Sequence, residues 1–370
     1  MRTFFSYGPV DCRKHFCVPR KELIEKCIIQ LVGEDEDFGH YFTVWAPRQT
    51  GKTWLMRQVK REIEARYGDR FTLGMMSMQG VVVEDEQGFL NEIPRLIRLT
   101  FKIDLAQSIS SWSSLMELFE KGKGIFKRPV ILFIDEFDSL PSKVIDQLVT
   151  LFRDIYLNRE SYLLHGLALI GVRAVLGVES ERGSPFNIQR SMHVENFTKE
   201  EVYDLYNQYI EESGQRVEEE VIESVYRVTR GQPGLVCWFG ELLTEKYNPG
   251  KDKIIDMEVW EDVYLNAIYV EWNNTVLNLI KKAKGRYLDK VLKVFNQSDI
   301  VFSLDREWCS YLYLNGIIDV DTVIDEQGKK HKVCIFSNPF IQQRLYNALT
   351  NEFVGEDTPI YALRIGDDLK

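Results

Sequence analysis

At 370 residues the chain is longer than one domain usually is, and its length points to two or three. Apolar residues make up 45% and charged residues 28%, which excludes a disordered or fibrous chain. With 46 Lys and Arg against 56 Asp and Glu the net charge is −10, so any nucleic-acid contact has to be a local basic patch. No apolar run approaches the ~18 residues of a membrane span. The stretch MRTFFSYGPVDCRKHF lacks the apolar centre and cleavage site of a secretory signal, so a cytoplasmic chain without membrane contact is expected. The cysteines (Cys12, Cys17, Cys27, Cys237, Cys309, Cys334) form no CxxC and do not cluster with histidines. They read as reduced, buried thiols rather than a disulfide framework or a metal site.

In chain order, residues 1–19 form an aromatic-rich arm broken by Gly8, Pro9 and Pro19, and 20–33 have helical spacing in Leu23, Ile24, Cys27, Ile28 and Leu31. A near-continuous apolar strand (40–46), a loop and a helix from Lys52 follow. Further strands are expected at 71–78, 129–135, 164–172 and 191–197, and helices at 86–102, 112–121 and 142–157. Runs such as PVILFID, apolar on both faces, suit parallel strands covered on both sides. Strands alternating with helices define an α/β fold with a parallel sheet sandwiched by helices. After Phe197 the pattern turns all-helical, opening with a capping-box spacing of Thr198 and Glu201 and running to about 283. From 285 two helices (286–296, 305–315) and a hairpin around DEQG make a winged-helix pattern. The expected organisation is an arm and leading helix (1–39), an α/β core (40–197), a helical lid (198–284), a winged helix (285–350) and a tail or docking strand (351–370).

Residues Ala46-Pro47-Arg48-Gln49-Thr50-Gly51-Lys52-Thr53 match the phosphate-binding loop GxxxxGK[ST] at all but the first glycine, replaced here by the small Ala46. Such a loop turns backbone N–H groups inward around a polyphosphate, and Gly51 takes a conformation that a side chain would obstruct. Lys52 reaches the terminal phosphates and the Thr53 hydroxyl serves Mg²⁺. The helix that follows points its positive end at the same anion. The strand VILFI ends in Asp135-Glu136. The first acid suits the Mg²⁺ shell and the second suits polarisation of an attacking water, which is a hydrolytic rather than a merely binding pairing. Asp138 reads as a cap for the helix beyond.

These motifs resemble those of the AAA+ and STAND classes of P-loop ATPase. APRQTGKT, the helix start VPRKELIEK, the IDE strand end and GQPGLV (231–236) are most similar to the prokaryotic AAA-like domain ATPases, over about residues 5–345. The resemblance implies ATP with Mg²⁺ and slow hydrolysis to ADP and phosphate. It places Arg20 near the adenine or ribose, Pro47 through Trp54 around the nucleotide, and Thr53 and Asp135 at the metal. It gives Lys52 and Glu136 catalytic roles and sets Pro233 of the lid against the nucleotide. Arg173 falls where such ATPases carry an Asn, Ser or Thr that senses the γ-phosphate, a departure from the pattern. Arg190 falls where they place an arginine finger, with Arg182 as runner-up, and Arg230 is a candidate second sensor. The partners implied are ATP, a separately encoded effector and further copies of the chain.

Three functions follow from these residues: an ATP-driven switch, a DNA-binding initiator-like or transposition-like ATPase, and a nucleotide-binding scaffold. The helix that would read DNA carries Arg306 beside Asp305 and Glu307, and residues 281–350 hold 11 Lys and Arg against 8 Asp and Glu. That is a weak electrostatic footprint. The intact Lys52, Thr53, Asp135 and Glu136 count against a scaffold.

Overall fold

The buried apolar runs assemble as one parallel sheet. It is seen in a computed structural model that describes residues 1–8, 10–34, 38–171 and 190–354, with the backbone alone for Arg190 and residues 351–354. The chain divides into two units, Pro19–Glu195 and Met1–Val18 with Asn196–Lys370.

In the first unit the sheet comprises β1 (Tyr41–Trp45), β2 (Thr72–Ser77), β3 (Val130–Asp135), β4 (Leu164–Gly171) and β5 (Arg190–His193), in the order β2-β3-β4-β1-β5. Every pairing is parallel. All six residues of β3 are buried, and alternate side chains go to opposite faces. Ile131 and Phe133 join Phe42, Val44 and Ile170 under α1 (Lys21–Val32) and α2 (Lys52–Tyr67). Leu132 and Ile134 join Leu167 and Leu169 under α3 (Glu86–Phe101), α4 (Trp112–Glu117) and α5 (Ser142–Leu157). Burial on both faces explains why these strands lack polar alternation. The helix expected over 112–121 stops at Glu117, and β5 is shorter than its expected span.

The second unit contains α6 (Lys199–Ser213), α7 (Glu219–Thr229), α8 (Pro233–Glu241) running into a π-helical turn (Leu242–Lys246), α9 (Met257–Tyr269) and α10 (Asn274–Ala283). Then come α11 (Leu288–Asn296), α12 (Glu307–Leu314), the antiparallel hairpin β6 (Ile318–Ile324) and β7 (Lys330–Phe336), and α13 (Pro339–Val354). The capping box opens α6 as the sequence requires: Glu201 N donates to Thr198 Oγ1 at 3.2 Å and Thr198 N to the Glu201 carboxylate at 2.9 Å. The stretch read as a tail begins inside α13, which continues to Val354; residues 355–370 lie outside the described residues. Among the described residues no helix is long and apolar enough to cross a membrane.

Two expectations are corrected here. The arm does not lead into the sheet. Residues 1–18 belong with the helical unit, where Phe4 and Phe16 are each 2% exposed. The Phe4 ring lies 5.1 Å from Phe16, 4.9 Å from Tyr206 and 5.6 Å from Tyr209. Polar anchors fix it further: Ser6 N and Oγ donate to the Glu241 carboxylate at 2.6 and 2.8 Å, and the Gln208 amide donates to Cys17 O at 2.9 Å. The arm's aromatics gain more by filling an aromatic core than by staying in water. Nor are all six cysteines thiols. Cys12 and Cys17 are joined by a disulfide, because the turn through residues 11–15 brings their Cα atoms to 5.5 Å. Cys27, Cys237, Cys309 and Cys334 are free and buried.

Candidate nucleotide site

The loop after β1 is built by short-range hydrogen bonds. Thr50 Oγ1 donates to Pro47 O at 3.0 Å, and Leu55 N to Gly51 O at 2.9 Å begins α2. Gly51 stands at the head of α2 with φ 85°, a left-handed conformation that side chains rarely adopt. Gln49 shares that region at φ 59°, which the sequence did not signal. Left-handed residues alternating with right-handed ones turn backbone N–H groups into one anion-binding concavity. Gln49 Oε1 and Trp54 Nε1 are buried without a hydrogen-bond partner, so the loop and the first turn of α2 each hold an unsatisfied polar atom. Trp54 packs against the α1–α2 core.

The Lys52 ammonium is folded back on its own loop, donating to Ala46 O at 2.8 Å and Pro47 O at 2.7 Å. Burial pushes its pKa down to about 8; the charges of Asp138 and Asp135 oppose that shift, and Arg48 adds to it. Thr53 Oγ1 donates to Asp135 Oδ2 at 2.6 Å, joining the loop to the end of β3 across 82 residues of sequence. The other oxygen of Asp135, itself 7% exposed, accepts from Glu136 N at 2.9 Å. Glu136 is left-handed at φ 53° and exposed, so the chain turns sharply just after Asp135. Partial desolvation of its carboxyl by the surrounding loop raises the Glu136 pKa, as does the Asp135 charge, while Arg48 draws it down.

A hydroxyl and a carboxylate in contact are hard oxygen donors of the kind Mg²⁺ takes, and Mg²⁺ usually binds through one or two such groups together with phosphates. The Thr53–Asp135 pair therefore fits Mg²⁺ carried by a polyphosphate. Among the described residues, His, Cys, Asp and Glu form no group of three or more able to hold a metal ion.

The remaining expected residues fare unevenly. Arg20, left-handed at φ 46°, heads α1, and its guanidinium donates to Glu195 O at 2.7 Å at the far end of β5's exit. Arg190 opens β5, with its backbone alone described. Arg173 and Arg182 lie outside the described residues. In the helical unit Pro233 is the first residue of α8, where its missing N–H costs nothing, and it is buried. Arg230, the candidate second sensor, donates from Nη1 to Phe336 O at 3.2 Å, a contact internal to that unit. Asp138 was expected to cap α5, but Pro141 holds that position without a side-chain cap. Asp138 instead bears on Lys52, and a sequence signal existed in its spacing of three from Asp135.

A parallel sheet with a phosphate-binding loop after β1, and an acid pair ending the strand two places away, is the fold of the P-loop ATPases. Residues 5–319 match the family model described as AAA-like domain, and the chain belongs to that family. The match stops within β6, short of the expected 345. No curated protein matches the sequence. Among solved structures, a Walker-type ATPase of Pyrococcus abyssi is similar at 17% identity and a TM-score of 0.56, covering 92% of this chain and 99% of that one. The Orc1 protein of Aeropyrum pernix, solved in complex with DNA, aligns at 14% identity over 90% of this chain and 93% of its own, with a TM-score of 0.47. The RuvB Holliday junction branch migration motor of Thermotoga maritima aligns at 14% over 92% and 96%, also at 0.47. At 17% identity the likeness to the Pyrococcus abyssi ATPase is one of fold.

Proposed function

We propose that this chain is a slow Mg-ATP hydrolase that works as a molecular switch of the STAND type. The observation that carries the reading is the 2.6 Å contact between Thr53 and Asp135, which unites the two halves of a nucleotide site from distant parts of the sequence. Residues 47–54 cradle the phosphates. The Lys52 ammonium leaves its two loop carbonyls for the terminal phosphates, trading neutral acceptors for charged ones. Thr53 and Asp135 hold Mg²⁺, which when bound neutralises phosphate charge. Glu136, exposed at the strand end and made more basic by its surroundings, accepts a proton from the attacking water. Arg20 borders the base, Arg190 acts on a neighbouring copy's nucleotide, and Arg173 senses the γ-phosphate. A separately encoded partner in the cytoplasm receives the output. The test is steady-state ATP hydrolysis beside light scattering. Glu136→Gln should lose roughly 100-fold or more in turnover while keeping ATP binding and ATP-dependent self-association. Equal turnover in the two proteins sinks the assignment of Glu136, and ATP binding without turnover in the wild type returns the chain to the scaffold reading.

A second reading rests on the β6–β7 hairpin, whose tip carries the exposed Lys329 and Lys330. As the wing of a winged helix it would contact a phosphate backbone. Against it, Cys309, Ser310 and Leu312 of α12 are buried, Arg306 donates to Val301 O, and Arg286 is paired with Glu307 at 2.7 Å. DNA affinity that falls steeply with salt and weakens when Lys329 and Lys330 are changed to Gln would establish it. Affinity that ignores both would dismiss it.

A further inference from the structure

Helix α9 sorts its residues by face. Trp260, Val263 and Ala267 are buried on one side. The helical period puts Glu258, Glu261, Asp262, Leu265 and Tyr269 on the opposite stripe, and all of them are exposed. The stripe changes character along its length, acidic in its first half and apolar in its second. Val270 and Trp272 extend the apolar half past the end of the helix. With Leu265 and Tyr269 they are between 55% and 76% exposed, although side chains of this size and polarity ordinarily lie inside. The backbone that carries Val270 and Trp272 is pinned. Glu271 between them is buried, its carboxylate accepting from Lys246 Nζ at 2.6 Å and from the Tyr247 hydroxyl, and its carbonyl from Arg344 Nη1 at 2.9 Å. Asn273 is buried as well, and its Oδ1 caps α10 by accepting from Thr275 N and Val276 N at 3.0 and 3.1 Å. With 271 and 273 anchored inward, 270 and 272 are displayed to solvent on a fixed frame. The acidic half is also without an internal use. Among the described residues Glu258, Glu261 and Asp262 enter no ion pair. The helix dipole accounts for Glu258 in the first turn but not for Glu261 and Asp262 in the second.

We propose that this face of α9 docks a separate protein through a basic amphipathic helix, whose apolar side covers Leu265, Tyr269, Val270 and Trp272 and whose Lys and Arg residues meet the acidic half. Charge decides among the occupants. A second copy using the same patch would set acids against acids. Residues 355–370, outside the described residues, carry four Asp and Glu against two Lys and Arg, so the chain's own C-terminus is repelled too. Nucleic acid and anionic lipid meet the same repulsion. A basic segment is attracted, and the net charge of −10 steers it toward the chain from a distance. Rigid aromatic anchors such as Trp272 and Tyr269 are the side chains that carry most of the energy in contacts of this kind. Their fixed backbone lowers the ordering cost of binding. The surface lies wholly in the helical unit and needs no nucleotide, so it stands apart from the ATPase reading.

The probe is a synthetic helical peptide of about five turns with leucines on one face and lysines on the other, titrated calorimetrically into the full chain. A second peptide carries glutamates in place of the lysines. The lysine peptide should bind one to one and the glutamate peptide should not. Trp272→Ala should weaken binding roughly tenfold or more, with the melting temperature unchanged because the side chain is exposed. Glu261→Lys combined with Asp262→Lys should weaken it by a similar factor at low salt. Asp146→Lys combined with Asp154→Lys, on exposed positions of α5, changes the net charge by the same amount and should weaken it less than about threefold. Failure of the lysine peptide to bind overturns the proposal. So does wild-type affinity in Trp272→Ala, or equal losses in the two charge-reversed chains, either of which would mark general attraction to an acidic protein. Self-association of the wild type by light scattering that disappears in Trp272→Ala would also overturn it, giving the face to a second copy.

Discussion

The two units hold themselves together in different ways. In the sheet unit the C-terminal strand ends carry conformational strain. Four of the five left-handed non-glycine residues among the described ones belong to this unit: Arg20, Gln49, Lys102 and Glu136. Two of those four, Gln49 and Glu136, lie in the phosphate loop and at the end of β3. The unsatisfied Gln49 and Trp54 atoms and the buried Lys52 ammonium lie there too. In the helical unit the interior is aromatic, and buried polar atoms of Asn273, Tyr287, Ser337 and Asn347 are likewise without a partner. Phe239 packs against Trp238, Trp260 and Phe340 with ring centroids 5.2 to 5.3 Å apart. Gln215, fully buried, satisfies its amide on three backbone carbonyls. Strain persists where surrounding structure over-determines it, and it gathers where a ligand is to be met. The contrast therefore lies in the backbone: left-handed residues gather in the sheet unit, and aromatic packing fills the helical one.

The sharpest way to break that comparison is to remove packing where no chemistry is proposed. Phe4, with Phe16 the most buried of the arm's side chains, touches three aromatic rings. Phe4→Ala should destabilise the helical unit by about 3–5 kcal/mol, read from chemical denaturation followed by the unit's aromatic signal. A loss below about 1 kcal/mol would mean that the arm only lies on the unit instead of completing its core.

How much of this was legible depended on range. Apolar runs and the GKT loop are local signals, and they gave the five strands, the loop and the Asp135–Glu136 strand end. Thr198 and Glu201 likewise declared the start of α6, because a cap is made within four residues. What the sequence hid was long-range. Nothing local says that Phe4 packs beside Tyr206, about 200 residues on. Nothing local says that Asp138 lies against Gly171, because that closeness comes from strand order. The disulfide was misread for another reason: two cysteines five apart meet only when a turn intervenes, and the arm's polar, aromatic composition gave no period to place one. Arg230 looked like a sensor by position, and its contact with Phe336 O depends on the β6–β7 hairpin, folded more than 100 residues later.

The comparison can be sharpened further by pH, with a smaller effect. Lys52 has an ordinary value of 10.5, which burial lowers to about 8 in the folded chain. Between those values the unfolded chain holds a proton that the folded one has lost, so this group's contribution to stability rises with pH across the interval. Nucleotide binding responds in the opposite sense. A polyphosphate favours the ammonium, so ATP must bind together with a proton once the free site has lost it. Affinity should be level below pH 8 and weaken above it, by up to about tenfold per pH unit. Titration of ATP into the chain from pH 7 to 9.5 reads the slope directly. In Lys52→Arg, whose guanidinium stays charged throughout, the slope should vanish even if affinity is lower. A slope that persists in the arginine variant would assign the lost proton to another group, and the folded-back ammonium on Ala46 O and Pro47 O would then be charged across the whole range.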